Sequence, residues 1–279
     1  MFKILKKTAQ TGLVTIGYPA APPVISPRYR GAPQFDFQHF KDPPAAAAAC
    51  PTGAISVTAT ETSGRVVVDY GLCIFCGQCA DADPSIKITQ QFDLAVRDRS
   101  ALIVTADYGL DSTGSNFELK HLRRGASPAD LEETVRRRIR DVLGRSLAIR
   151  EVDAGSCNGC EIEINALNNP LYDIERLGIH FVASPRHADM LLVTGPVTRN
   201  MELALLKTWN AAPDPRVVVA VGACGISGGI FGRNYATVGG VDRVVPVDVY
   251  LPGCPPTPLA LLNGILLAVG MMEEKGVPQ

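Results

Sequence analysis

The chain has 279 residues, 46% of them hydrophobic and 20% charged, with a formal net charge of −1. That length suits about two domains, the composition excludes a disordered chain, and the absence of a basic block with interleaved aromatics excludes a nucleic-acid binder. Eight cysteines, at 50, 73, 76, 79, 157, 160, 224 and 254, fall partly in clustered CxxC spacings, which favour metal over disulfides in a chain read as cytoplasmic.

In chain order, residues 1–34 are expected to form an extended segment, because the stretch from Tyr18 (YPAAPPVISPRYRGAP) is rich in proline, which fixes φ and removes donors. The start, MFKILKKTAQTGLVTIGYPAAPP, has no sustained apolar core with a small-residue cleavage site. Residues 35–92 read as a small α+β unit with short β-branched strands at 54–60, 65–70 and 85–89. Residues 93–145 read as a connector followed by a helix, SPADLEETVRRRIRDVLGRSL. Ser127 is its cap, Pro128 suits its first turn, Asp130, Glu132 and Glu133 favour its positive end, and Leu131, Val135, Ile139 and Val142 lie on one face.

From 146 to 279 strands alternate with helices. Strands are expected at 147–153, 179–183, 189–195, 216–222 and 245–253, with helices at 201–210 and 257–275. Such alternation implies a parallel sheet covered on both faces, with its ligand beyond the carboxyl ends of the strands. The longest apolar run, PLALLNGILLAVGMM at 258–272, is shorter than the roughly 20 residues of a membrane span. The expected location is cytoplasmic, peripheral to the inner membrane through partner subunits.

The cysteines divide into two sets. In the first, the bacterial ferredoxin run C-x2-C-x2-C-x3-C-P fits Cys73, Cys76 and Cys79, and its fourth place falls on Asp83 before Pro84. Laid over 40–51, the same run puts its fourth place on Cys50 before Pro51, and its first three on Phe40, Pro43 and Ala46. In two-cluster ferredoxins the fourth cysteine of each run serves the other cluster. One cluster has therefore lost all four ligands, and the other, using Cys50, Cys73, Cys76 and Cys79, keeps all of its own. Asp83 reads as a turn residue before proline.

In the second set, Cys157 and Cys160, Cys224, and Cys254 each follow an expected strand end, in glycine-rich loops that let backbone approach a cluster. A four-cysteine zinc site is the alternative, although zinc more often uses two paired knuckles on a small ribbon. Glu161 and Glu163 fit a helix start, or carboxylates beside the cluster. Arg186 and His187 fit solvated loop residues, or groups that tune a cluster or contact a partner.

The motifs SCNGCEIEINALNNPLYDIERLGI, SPRHADMLLVTGPVT, GACGISGGIF and VDVYLPGCPPTP resemble, in order, the small subunit of group 4 membrane-associated NiFe hydrogenases of the formate hydrogenlyase and hydrogenase-4 type. The likeness covers about residues 128–275. The related cluster-N2 subunit of complex I has two adjacent cysteines where this chain has Cys157-x-x-Cys160. FKILKKTAQTG, SPRYRGAP and CIFCGQC resemble the ferredoxin-like subunit that accompanies these hydrogenases, here fused to the small subunit.

The resemblance implies an α/β, flavodoxin-like parallel-sheet domain preceded by a small α+β ferredoxin-like domain. It also implies two [4Fe–4S] clusters, with the proximal one on Cys157, Cys160, Cys224 and Cys254. The implied partners are a NiFe hydrogenase-type large subunit, other iron–sulfur or electron-donor subunits, and membrane subunits. The implied role is electron relay without bond-making chemistry in this chain. A nickel-free, complex I-like oxidoreductase that reduces quinone or another acceptor is the alternative.

Overall fold

The computed structural model describes residues 2–60, 62–110, 117–126 and 146–278. Most of the helix expected from Ser127 lies outside them.

Three sheets organise the chain. Strands β1 (Pro33–Phe35) and β4 (Ile86–Ile88) pair antiparallel, and beside them stands an antiparallel sheet in the order β2 (Ile55–Ala59), β3 (Ser63–Asp69), β5 (Ile103–Leu110), β6 (Phe117–Arg124). Alternate residues of these strands, such as Val66 and Val68, or Val104 and Ala106, point into a buried core. Two short helices, α2 (Pro43–Ala49) and α3 (Gln78–Ala82), carry the first cysteine set.

The third sheet has the order β11 (Val249–Leu251), β10 (Val217–Val221), β9 (Met190–Thr194), β7 (Leu147–Asp153), β8 (Ile179–Phe181), with every pair parallel. Numbered by appearance within this sheet, that is 2-1-3-4-5, the flavodoxin-like doubly wound order. The central strands β9 and β10 and the edge strand β11 are buried along their whole length and read as apolar runs, because both faces are covered, whereas β7 carries Arg150, Glu151 and Asp153. On β9, Leu191 and Val193 join a core shared with the four-stranded sheet, while Met190 and Leu192 face the opposite core. That opposite core receives α7 (Pro258–Ala268), in which every residue except Leu259 is buried. Gly264 permits the fit: a Cβ there would lie 2.1 Å from Leu251. Among the described residues no helix is long and apolar enough to cross a membrane.

Two local expectations change, and one stretch read without an assigned element proves to be a helix. The segment expected as a connector supplies β5 and β6, a hairpin that completes the four-stranded sheet. The alanine-rich stretch before Cys50 is the helix α2. It starts at Pro43 and is capped by Asp42, whose carboxylate accepts the Ala45 amide at 2.9 Å. Alanine, the strongest helix former, carries it. Residues Phe2–Thr11, expected to be extended, form helix α1. Only the stretch after it is irregular, and Ile16 and Tyr18 of that stretch pack against the core around α7.

Candidate metal centres

In the first set, Cys50 ends α2 as its C-cap, Cys73 and Cys76 lie in the loop after β3, and Cys79 is in α3. Phe75 and Gly77, at φ of 56° and 87°, bend that loop so that it turns back on itself. The four thiols line one apolar hollow with Pro33, Phe35, Ile55, Val68, Ile74 and Phe75. Backbone amides point at the sulfurs: Ala54 N–H donates to Cys50 Sγ at 3.2 Å, and Phe75 N–H to Cys73 Sγ at 3.4 Å. Burial pushes the Cys73 thiol up to about 12, with the negative charges of Cys79, Cys50 and Cys76 adding to it. Burial and the same neighbours push Cys79 up to about 11.

The four places of the ferredoxin run that carry no cysteine are filled by packed side chains. Phe40 is 6% exposed, Pro43 is buried, and Ala46 and Asp83 are sealed from solvent. Phe35, Phe37 and Phe40 pack ring against ring, at centroid distances of 5.6, 5.9 and 6.3 Å. The Asp83 carboxylate accepts the Asp42 amide at 2.5 Å, the Ser85 amide at 2.8 Å and the Ser85 hydroxyl at 2.5 Å. It is thus more than a turn residue, because it ties the turn at Ser85 to the start of α2.

The second set gathers at the carboxyl edge of the parallel sheet. Cys157 and Cys160 lie after β7, Cys160 in the first turn of α4 (Gly159–Ala166); α5 (Arg199–Ala211) follows β9; Cys224 lies in α6 (Gly222–Ser227) after β10; Cys254 follows β11. The Asp153 carboxylate accepts the amides of Gly155 and Ser156, each at 2.7 Å, which shapes the approach to Cys157. Ala223 N–H donates to Gly253 O at 2.8 Å and joins the Cys224 and Cys254 loops.

Two glycines form the cradle. A Cβ on Gly222 would lie 3.0 Å from Cys160 Sγ, and one on Gly229 would lie 2.9 Å from Cys224 Sγ; both have positive φ. Burial pushes Cys160 up, and the charges of Glu161, Cys224, Cys254 and Cys157 add to this. Cys224 is pushed up to about 11 by burial, then by Cys254 and Cys157; Cys254 is raised by burial, then by Cys157. This set opens outward: Cys157 and Cys254 are exposed, and exposed Ile162, Ile230 and Phe231 stand on the same cysteine-bearing segments.

All eight cysteines are free thiols. Among the described residues no three His, Cys, Asp or Glu side chains are grouped for a single metal ion. In each quartet neighbouring thiols disfavour one another's ionisation, a cost that a cationic cluster core would offset, and amide donors or glycine cradles lie close to sulfur. The residues present fit an iron–sulfur cluster in both places.

Glu161 accepts a hydrogen bond from the Thr194 hydroxyl at the end of β9. Glu151, absent from the sequence-based site, faces the same spot. Burial raises its pKa, with the charges of Glu161 and Asp153 adding to the effect. Strand β7 (LAIREVD) also carries Arg150 and Asp153, so its sequence does not single Glu151 out. Burial likewise raises Glu163. Arg186 and His187 are exposed in the turn before β9, at the amino end of that strand, whereas the cysteines lie beyond the carboxyl ends.

Four thiols from three loops, at the carboxyl edge of a doubly wound sheet, stand where such sheets hold their ligands, and similarity to known proteins places the chain among subunits of the hydrogenase and complex I type. Residues 157–268 match the family described as NADH ubiquinone oxidoreductase, 20 Kd subunit. Formate hydrogenlyase subunit 7 of Escherichia coli (strain K12) is 56% identical over 133 residues, which is 48% of this chain and 52% of that protein. A probable membrane-bound hydrogenase subunit, mbhJ of Pyrococcus furiosus, is 52% identical over 133 residues, 47% of this chain and 79% of that protein. In the structure of the membrane-bound sulfane sulfur reductase, an archaeal respiratory membrane complex, one chain is 41% identical with a TM-score of 0.41, covering 46% of this chain and 70% of that one. The chain belongs to this family of iron–sulfur subunits, in its group 4 hydrogenase-type branch. It spans about half the length of the Escherichia coli relative.

Proposed function

We propose that this chain relays electrons through two [4Fe–4S] clusters to the large subunit of a membrane-associated NiFe hydrogenase-type complex. Cys50, Cys73, Cys76 and Cys79 hold one cluster, and Cys157, Cys160, Cys224 and Cys254 hold the other. A [4Fe–4S] cluster supplies one-electron transfer. The chain's own part is to hold the thiolates, aim amides at sulfur and exclude water. The buried first site suits a relay position. The second site, with exposed Cys157, Cys254, Ile162, Ile230 and Phe231, suits a face covered by the large subunit.

The observation that carries this reading is the convergence of four thiols beyond the carboxyl ends of β7, β10 and β11. The spacing Cys157-x-x-Cys160, rather than two adjacent cysteines, favours a hydrogenase partner over a quinone-reducing one. Further iron–sulfur and membrane subunits complete the assembly, with the chain peripheral to the membrane. The test is to purify the complex through this subunit, admit hydrogen and follow the clusters by visible absorption and electron paramagnetic resonance. Reduction by hydrogen is expected. A complex without nickel, whose clusters ignore hydrogen and are oxidised by a quinone, would replace the proposal with the complex I-like alternative.

A further inference from the structure

Helix α1, Phe2–Thr11, has no buried residue. At 3.6 residues per turn, Lys3, Lys6, Lys7 and Gln10 fall on one side, and Phe2, Ile4, Leu5, Thr8 and Ala9 on the other. Its large apolar side chains face solvent: Phe2 is 89% exposed, Ile4 72% and Leu5 60%. Leu13 follows at 90% and Val14 at 47%. Thr8, on the apolar side, returns its hydroxyl to Ile4 O at 3.0 Å and needs no water.

The charge is as one-sided as the apolarity. Lys3, Lys6, Lys7, Arg28 and Arg30 precede the first acid of the chain, Asp36, although the whole molecule carries −1. The arm is tethered just after the helix. Thr15 Oγ1 donates to Pro170 O at 2.8 Å, Ile16 N–H to Leu171 O at 2.9 Å, and Arg176 Nη2 to Tyr18 O at 2.5 Å. Leu171, itself 43% exposed, continues the apolar strip from Leu13 and Val14 onto the body of the protein.

We infer that α1, with Leu13 and Val14, is a membrane-surface anchor that lies in the headgroup region of an anionic lipid leaflet. An acidic protein groove would use the lysine side and leave Phe2, Ile4 and Leu5 wet, whereas an apolar groove would do the reverse. A lipid interface takes both faces at once. The apolar side enters the acyl boundary, and the lysine stems lie along it with their ammonium groups among the phosphates. This does not rest on the cluster assignment, since the helix carries no cysteine and the test needs no redox readout.

The full chain is sedimented with vesicles made of equal parts phosphatidylcholine and phosphatidylglycerol, and with vesicles of phosphatidylcholine alone. Binding to the anionic vesicles is expected, weakened by salt and much reduced on the neutral ones. The triple variant Lys3→Glu, Lys6→Glu, Lys7→Glu should lower the partition on the order of a hundredfold, since each lysine near such a surface contributes about a factor of five. Phe2→Ser with Leu5→Ser should also release the chain. All five side chains are exposed, so neither variant disturbs the core. An unmodified chain that stays in the supernatant of anionic vesicles overturns the inference, as do variants that bind as the parent does. Capture by an acidic protein without vesicle binding overturns it as well.

Discussion

Asp83 is a sealed carboxylate that binds amides from two segments some forty residues apart. Its position identified it as the erased fourth cysteine of a ferredoxin run, yet its work was not legible, because its partner amide on Asp42 is distant in sequence. Burial raises the pKa of its carboxyl, but the bonds from Ser85 and Asp42 outweigh this and hold the pKa below the ordinary carboxylate value. A lowered folded-state pKa means that the contribution is fully present above the unfolded value of about 4, and is lost as pH falls through the folded value. Asp83→Asn is expected to lower stability at neutral pH by about 1–3 kcal/mol, the scale for a charged acceptor of buried amides. The deficit should narrow as the parent is titrated below pH ~4. Chemical denaturation at the two pH values checks this, and a variant as stable as its parent at neutral pH would contradict it.

At the scale of elements, what mattered for the first site was a cysteine with no neighbours. Cys50 ends α2, and its amide closes on Ala47 O at 3.1 Å. The helix therefore delivers the sulfur to a hollow formed by a loop more than twenty residues later in the chain. Cys50→Ala is expected to remove the spectrum of the first cluster and leave that of the second. A variant with both clusters intact would refute ligation across these segments. The five parallel strands were legible from their alternation with helices, and β9 and β10 also from apolar runs buried on both faces. The hairpin of β5 and β6 was not, because β6 (FELKHLRR) carries mixed charge, and only the alternation of Val104, Ala106 and Tyr108 marked β5 as half-buried. Helices α1 and α2 were missed because neighbouring prolines and an alanine run resemble linker. Glu151 was missed because an acid in a strand declares nothing until the fold brings Glu161 beside it.

At the scale of the whole molecule, the two cysteine sites belong to one packed body. A single core runs from the four-stranded sheet to one face of the parallel sheet. Val96 and Tyr250 exchange backbone hydrogen bonds at 3.0 and 2.8 Å across that junction. Buried Arg97 donates through Nη2 to Leu267 O at 2.9 Å, at the end of α7. The Ser227 hydroxyl, three residues after Cys224, donates to Gly71 O at 2.9 Å, two residues before Cys73. The loops of the two sites thus touch directly, a fixed spacing that suits electron relay better than two units on a flexible linker. Spacing and strand ends were enough to expect the two quartets, but nothing in the sequence pointed to this junction, because it is built from backbone groups and small side chains without a motif. The most direct measurement is iron and acid-labile sulfide per chain in the protein purified without air. About eight irons and eight sulfides are expected, from two four-iron clusters, with the filled site contributing none. About four irons, about twelve, or zinc in place of iron would contradict it.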